Sequence, residues 1–280
     1  MSLGRAFENE DLYSCADSAT AVLESRQEVR VAVLHPVEVY SPTFELPLIA
    51  QVRDASTAGL CIATPSPVSL ENLAGVGLHL PGARLRLDVA GVWQTQMSMD
   101  EAVLTGVKFL RPDPQALSAL REWSEACVRE VGSFLQQSLS GAGITVEDSL
   151  RLAQSTRVRL VPRGRYLYRR GQEQPEHDDA IFFIRQGSVE LSLPGRSGPP
   201  NVTAQLGPNS MLGGLGCVAS MPHFEDAQTT EDTSVLEVSK GAFNYLRIAQ
   251  PLLAHWLSQV VMSSHLRRVD GFVARVADSS

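Results

Sequence analysis

Arg26-Gln-Glu-Val-Arg30 and, 24 residues further on, Asp54-Ala-Ser56-Thr-Ala-Gly59 are the two clusters around which the chain is organised. Two arginines four apart, ahead of a strand, offer forked and permanently charged donors to phosphate and flat faces for a base to stack on. Asp54 and Ser56 supply acceptor and donor groups for a purine edge, and Gly59 permits φ > 0 or close backbone approach. Taken alone, an Arg-x3-Arg pair is common on solvated surfaces and Asp-x-Ser-x2-Gly is an ordinary turn. Both together, in this order and at this distance, describe a grip for a phosphate and a purine.

The sequence around the clusters reads as a small antiparallel barrel. Val31 to Val39 and Leu46 to Val52 are apolar strands, the second running into the Asp54–Gly59 turn. Leu60-Cys-Ile-Ala63, the hairpin His79-Leu-Pro-Gly-Ala-Arg-Leu-Arg-Leu and Gly106-Val-Lys-Phe109 follow, with turn residues at short intervals. This pattern resembles the PilZ domain, a bacterial receptor for cyclic di-GMP, over roughly residues 22 to 130. The resemblance implies that Arg26 and Arg30 clamp phosphates and stack on guanine, while Asp54, Ser56 and Gly59 fix the base edge. It also implies that ligand orders the segment around residues 20–30, a disorder-to-order switch.

Beyond the barrel the periodicity changes. Pro112-Asp113-Pro114 offers an N-cap at Asp113 and a proline at the first helical position. Leu117, Leu120, Ser124, Cys127, Val131 and Phe134 then fall at helical spacing, which predicts an apolar seam packed on a neighbouring domain or on a second copy. Ser138 to Gly143 reads as linker and Thr145 as the cap of a further helix. Short strands follow at Val158–Val161, Tyr166–Tyr168, Ala180–Ile184 and Ser188–Leu193, with Gly164, Gly171 and Gly187 between them. The glycine punctuation, Leu206-Gly-Pro, and Phe243-x2-Leu246-x4-Pro251-x-Leu253 are similar to the jelly roll and C-terminal helices of cyclic nucleotide-binding domains, over about residues 144–270.

In that family a short helix presents N–H groups to the cyclic phosphate. A glutamate after the cassette glycine takes the ribose hydroxyl, and an arginine about ten residues on neutralises the phosphate. The matching stretch here is Leu212-Gly213-Gly214-Leu215-Gly216-Cys217, leading to Met221-Pro-His223-Phe-Glu225-Asp226. Gly214 stands at the glutamate position and His223 at the arginine position, so the cassette (Gly213, Gly214, Leu215, His223) is degenerate. Glu225 and Asp226 add negative charge near where a phosphate would lie, which opposes anion binding. His265-Leu-Arg267-Arg268 reads as a basic helix end, favourable with the helix dipole. Too little chain follows it for a DNA-reading unit, so no direct DNA binding is expected.

Composition agrees. With 280 residues, 44% hydrophobic and 20% charged, the chain has room for two cored domains. Residues 1–140 carry 10 basic and 17 acidic side chains against 14 of each in residues 141–280, and a net charge of −7 argues against non-specific nucleic-acid binding. No apolar run approaches the ~18 residues that span a bilayer, no secretory signal is visible, and Cys15, Cys61, Cys127 and Cys217 form no pair or metal motif. Free thiols in a cytoplasmic protein are the expectation. His177-Asp178-Asp179 reads as a polar loop before a strand, and no catalytic arrangement or metal site emerges.

The sequence therefore predicts a mainly β protein with helices: a lead-in (1–21), a six-stranded PilZ-like barrel (22–112), a linking helix and linker (113–143), a cyclic nucleotide-binding-like jelly roll (144–270) and a tail (271–280). The expected function is a non-enzymatic cyclic di-GMP receptor without cofactor. An unidentified protein partner would receive the signal, and homodimerisation through the long helices stays open. A dual sensor that also takes cyclic AMP, and a ligand-free scaffold, are the alternatives.

Overall fold

The computed structural model describes residues 31–96, 102–171, 179–193 and 201–278. Six antiparallel strands close a barrel: β1 (Val31–Tyr40), β2 (Leu48–Ala55), β3 (Gly59–Thr64), β4 (Gly75–Leu80), β5 (Ala83–Gln96) and β6 (Val103–Phe109), in spatial order β1-β2-β3-β6-β5-β4. β6 is inserted between β3 and β5, and β1 pairs with β4 to complete closure. Alternation along the strands sends Val37, Val39, Val52, Leu60, Ile62, Leu78 and Val107 inward. β2 starts two residues later than its apolar run and reaches Ala55, with a bulge between Val52 and Asp54 where it pairs with β3.

Helix α1 (Pro114–Ser138) starts as the sequence reads: Asp113 Oδ1 accepts the Ala116 N–H at 2.7 Å, with Pro114 at the first turn. Its buried seam keeps Leu120, Cys127 and Val131 of the expected one and exchanges the other three positions. Ala116, Leu120, Trp123, Cys127, Val131 and Leu135 are buried, whereas Leu117, Ser124 and Phe134 are half-buried flanks. The seam is displaced because α1 packs on two bodies. Its first half, through Cys127, completes the barrel core, and Val131 and Leu135 belong to the core of the second domain.

The expected linker shrinks to a 3₁₀ turn at Ser140–Ala142, after which Thr145 caps α2 (Val146–Ala153) by accepting the Asp148 N–H at 3.0 Å. The second domain is a jelly roll of two four-stranded sheets. One runs β11 (Asn201–Leu206), β10 (Val189–Leu193), β13 (Asp226–Thr229), β8 (Tyr166–Tyr168), and the other runs β12 (Met211–Gly213), β9 (Ala180–Gln186), β14 (Thr233–Ser239), β7 (Arg157–Val161). Phe182 and Ile184 point between the sheets. Ile181 and Phe183 point the other way, onto a helical layer that includes α4 (Lys240–Ala249) and α5 (Pro251–Asp278).

Two expectations change at the C-terminus. α5 continues helically to Asp278, so residues 271–278 are not a separate tail. His265 and Arg268 therefore lie within the helix rather than at its end. Ala32, on the outer face of β1, is 1% exposed and belongs to the second domain's core, which ties the two domains together at the start of the barrel.

Candidate ligand sites

The first candidate site is the β2–β3 turn. Asp54 pairs with Ala32 on one side and with Cys61 on the other, immediately after the bulge. Ser56 is 3% exposed and its hydroxyl is engaged by the turn: it accepts the Ala58 N–H at 3.2 Å and donates to Gly59 O at 3.4 Å. The Ser56 N–H donates to the same carbonyl at 2.9 Å. The serine thus shapes the loop from within, an ST-turn role. Gly59 is needed for close approach rather than for positive φ: a Cβ there would collide with the Val107 carbonyl oxygen of β6. Val31, which follows Arg30, pairs with Ala55, so the chain enters the barrel beside this turn. Arg26 and Arg30 themselves lie outside the described residues, as do Cys15, His177 and Asp178.

Two cavities lie between the barrel and the jelly roll, and no residue of the Asp54–Gly59 turn lines either of them. The larger, about 580 Å³, is lined by Gln51, Arg53 and Thr64 of the barrel and by Pro162, Asp232 and Ser234 of the jelly roll, among others. The smaller, about 320 Å³, touches Ala32, Leu34, Glu130 and Arg185. Arg185 Nη2 donates to Glu130 Oε1 at 2.6 Å across the domains.

The second candidate site is the cassette, and its own side chains fill it. Gly213 and Gly214 are left-handed, at φ 74° and 85°, and lead into the four-residue helix α3 (Leu215–Val218). A Cβ at Gly214 would sit 2.7 Å from Ile181 Cγ1 and 3.2 Å from Val261 Cγ1, which leaves no space for a side chain where the family keeps its glutamate. One at Gly216 would overlap the Asp179 carboxylate, so Asp179 occupies the space beside the first turn of α3. Facing it, His223 is 4% exposed, stacks on Tyr168 with ring centroids 3.8 Å apart, and brings Nε2 to 3.2 Å from Asp179 Oδ1.

Helix α5 supplies the remaining wall. His265 Nε2 donates to Gly213 O at 2.9 Å, and its Nδ1 accepts from Arg268 Nη2 at 2.8 Å. Arg268 also donates to Met211 O at 3.3 Å and places Nε 3.6 Å from Glu225 Oε1. Burial pushes the Glu225 carboxyl above its ordinary range, against the pull of Arg268 and the Thr203 hydroxyl. Burial first, and then the Arg268 charge, lower the His265 pKa to about 4, so this imidazole is neutral. Burial likewise raises the thiols of Cys127 to about 11 and Cys217 to about 12, which makes both poor nucleophiles.

The sequence reading located Gly213, Gly214, Leu215, His223 and Glu225 but missed Asp179, Tyr168, His265 and Arg268. Their isolated positions, up to a hundred residues apart in the chain, gave no local pattern. Among the described residues no cluster of three His, Cys, Asp or Glu side chains has the arrangement of a metal site, and no helix is long and apolar enough to cross a membrane.

Comparison with known proteins divides the chain in the same way. No curated protein matches it. Among solved structures it is similar to a cyclic nucleotide-binding domain from Methylobacillus flagellatus, with 16% identity, 54% of this chain and 86% of that one covered, and a TM-score of 0.45. It is also similar to the catabolite activator protein of Thermus thermophilus (23% identity, 48% and 61% covered, TM-score 0.41). A third is the sensor domain of the transcriptional regulator DNR from Pseudomonas aeruginosa (18%, 51% and 93%, TM-score 0.39). The family of the cyclic nucleotide-binding domain matches residues 158–248, on the jelly roll, and that of the PilZ domain matches residues 24–126, on the barrel and the first half of α1. Both are ligand-binding, regulatory domain types, and together the two matches identify the chain as a PilZ domain followed by a cyclic nucleotide-binding domain.

Proposed function

We propose that this protein is a non-enzymatic, cytoplasmic signalling receptor for cyclic di-GMP, bound at the PilZ domain, and that its second domain is a ligand-independent relay to a protein partner. The observation that carries the reading is the β2–β3 turn. The Asp54–Gly59 segment is held in shape by the buried Ser56 and by the close approach of Gly59 to β6, directly beside the strand that Arg30 leads into. On this reading Arg26 and Arg30 clamp the phosphates and stack on guanine, Asp54 accepts from the base edge, and Ser56 and Gly59 hold the turn that presents it.

The filled cassette supports assigning the second domain to relay rather than to cyclic AMP sensing. A cyclic phosphate would have to displace the Asp179 carboxylate, and a ribose would find Gly214 in place of glutamate. Like charge held this close in a partly buried pocket opposes an anionic ligand.

Calorimetric titration of the purified chain with cyclic di-GMP, cyclic AMP and cyclic GMP tests this. The expected result is micromolar or tighter binding of cyclic di-GMP alone, abolished by Arg26→Ala with Arg30→Ala. If that double variant kept its affinity within twofold, the site assignment would be wrong. Binding of both classes would make the protein a dual sensor, and binding of neither would make it a scaffold.

A further inference from the structure

A third cavity, about 720 Å³, opens between α2 and the corner where α4 turns into α5, and no residue of either candidate site lines it. Ile144, Thr145 and Arg151 line one side, and Leu252, Leu253 and Trp256 the other. The indole of Trp256 is held in place, because its Nε1–H donates to Ala142 O at 3.2 Å, in the 3₁₀ turn that follows α1. Both sides continue into apolar surface. Leu252 is 85% exposed and Ile248 80%, and Tyr245 and Val146 are exposed as well. Tyr245 and Ile248 stand three apart on one face of α4, and Ile248 precedes Ala249 of the cavity lining. Single exposed apolar side chains are ordinary, but a group of them around a concave site marks a docking surface.

The charges around this groove are uneven. On the α2 side, Glu147 and Asp148 are both engaged by Arg151. On the α4 side, Arg247 in the last helical turn has no carboxylate partner among the described residues. No Asp or Glu occurs from Lys240 to Val269, in a chain whose net charge is −7. The groove therefore offers apolar depth beside a cation that awaits a counter-ion, and tyrosine, tryptophan and arginine together are the side chains that anchor protein interfaces. A bilayer would cover Leu252 and Ile248 but leave the cavity behind them unfilled, whereas a side chain on a folded segment fills it.

We propose that this groove is the docking site of the protein partner, which inserts a bulky apolar side chain between α2 and α5 and sets a carboxylate against Arg247. This rests on the relay to a protein partner in the reading above and gives that partner a place and a chemistry. The Trp256–Ala142 bond ties the groove to the end of α1, whose first half lies in the barrel core, so a shift of α1 is felt directly by a docked partner.

The probe is a displayed library of random peptides selected on the full-length chain. Enriched peptides are expected to carry Leu, Phe or Trp within one helical turn of Asp or Glu. Synthesised, they should bind Ile248→Ser with Leu252→Ser, and separately Arg247→Glu, at least tenfold more weakly than the parent. Melting temperatures should not change, because these side chains lie on the surface. Replacing the peptide's acid by Lys should restore binding to Arg247→Glu. A selection that enriches nothing, peptides without an acid, or affinities within twofold across the variants would overturn the proposal. Phosphatidylglycerol vesicle binding, or self-association of the chain, that is lost in Ile248→Ser with Leu252→Ser would overturn it too, giving the corner to a membrane or to a second copy. Peptide affinity is also measured with cyclic di-GMP present: a value the ligand leaves unchanged would refute the relay and leave the docking site standing.

Discussion

Placing a side chain at Gly214 is the sharpest probe of whether the cassette is closed. Gly214→Glu restores the residue that a nucleotide-binding cassette uses for the ribose, and Gly214→Ala isolates the steric part. Two costs can be read from the geometry. A non-glycine residue at φ 85° carries a backbone penalty of about 1–2 kcal/mol. The new Cβ would also meet Ile181 Cγ1 at 2.7 Å and Val261 Cγ1 at 3.2 Å. Ile181 cannot swing away, because it lies on β9 between two paired strands and is fully buried. Overpacking of this kind costs about 1–3 kcal/mol, so Gly214→Ala should lose about 2–5 kcal/mol. For a body of this size that is a fall of roughly 6–15 °C in melting temperature. Thermal unfolding followed by circular dichroism reads it, and Gly214→Glu should lose at least as much while still failing to bind millimolar cyclic AMP by calorimetry. A Gly214→Glu protein that melts with the parent and binds cyclic AMP at micromolar concentration would refute the closed cassette.

Three further predictions follow from single contacts. Gly59→Ala must drive β3 away from the Val107 carbonyl, so urea unfolding should show a loss of about 3 kcal/mol, and cyclic di-GMP affinity should fall with the distorted turn. His265 has its folded pKa depressed from 6.5 to about 4; its neutral form is the one the fold accepts, so its contribution is complete above pH 6.5 and is lost as pH falls toward 4. The full effect is about 3 kcal/mol. The raised Glu225 carboxyl works in the opposite sense, adding stability as pH falls through its folded pKa. Subtracting the pH profile of His265→Gln from that of the parent therefore isolates the histidine, and a difference that is flat between pH 6.5 and 4 would contradict its buried neutral state. Asp113→Ala removes the α1 cap and should cost about 1 kcal/mol, seen as a few degrees in melting temperature, with cyclic di-GMP binding unchanged.

Much of this architecture was legible because it is local. Alternating apolar residues, the Asp113-Pro114 helix start and the Thr145 cap are decided within a few residues, and each forms as read. Leu120, Cys127 and Val131 lie in the α1 seam as read, but three other positions fall one residue away, because Trp123 and Leu135 answer to two different cores, which no single period describes. Gly59 could be singled out from sequence, but its reason could not. Only the register of β3 against β6 shows that the Val107 carbonyl lies where a Cβ would go. The cassette shows the same limit more strongly. Gly214 and His223 advertise what is missing, whereas Asp179, His265 and Arg268 (which fill the vacancy) come from a loop edge and a helix far along the chain.

That filling bears on how the two domains can be coupled. In the cassette, Glu225 and Arg268 are a buried pair, and removing one partner of such a pair typically costs about 3–5 kcal/mol. The His265–Gly213 and Arg268–Met211 bonds add to the same clamp, so α5 is fastened to the roll with no ligand required. A device whose switch positions are already satisfied internally has little free energy left for a nucleotide to redistribute. On the proposed reading the signal therefore enters the second domain through its outer packing. Two elements lead there: β1, whose Ala32 is paired with Asp54 and buried in the second core, and α1, which carries Leu120 in one core and Leu135 in the other. Both are packed rather than hinged. A ligand that shifts the start of β1 must either move Ala32 within a close-packed core or move the jelly roll with it, and the second course leaves that core intact.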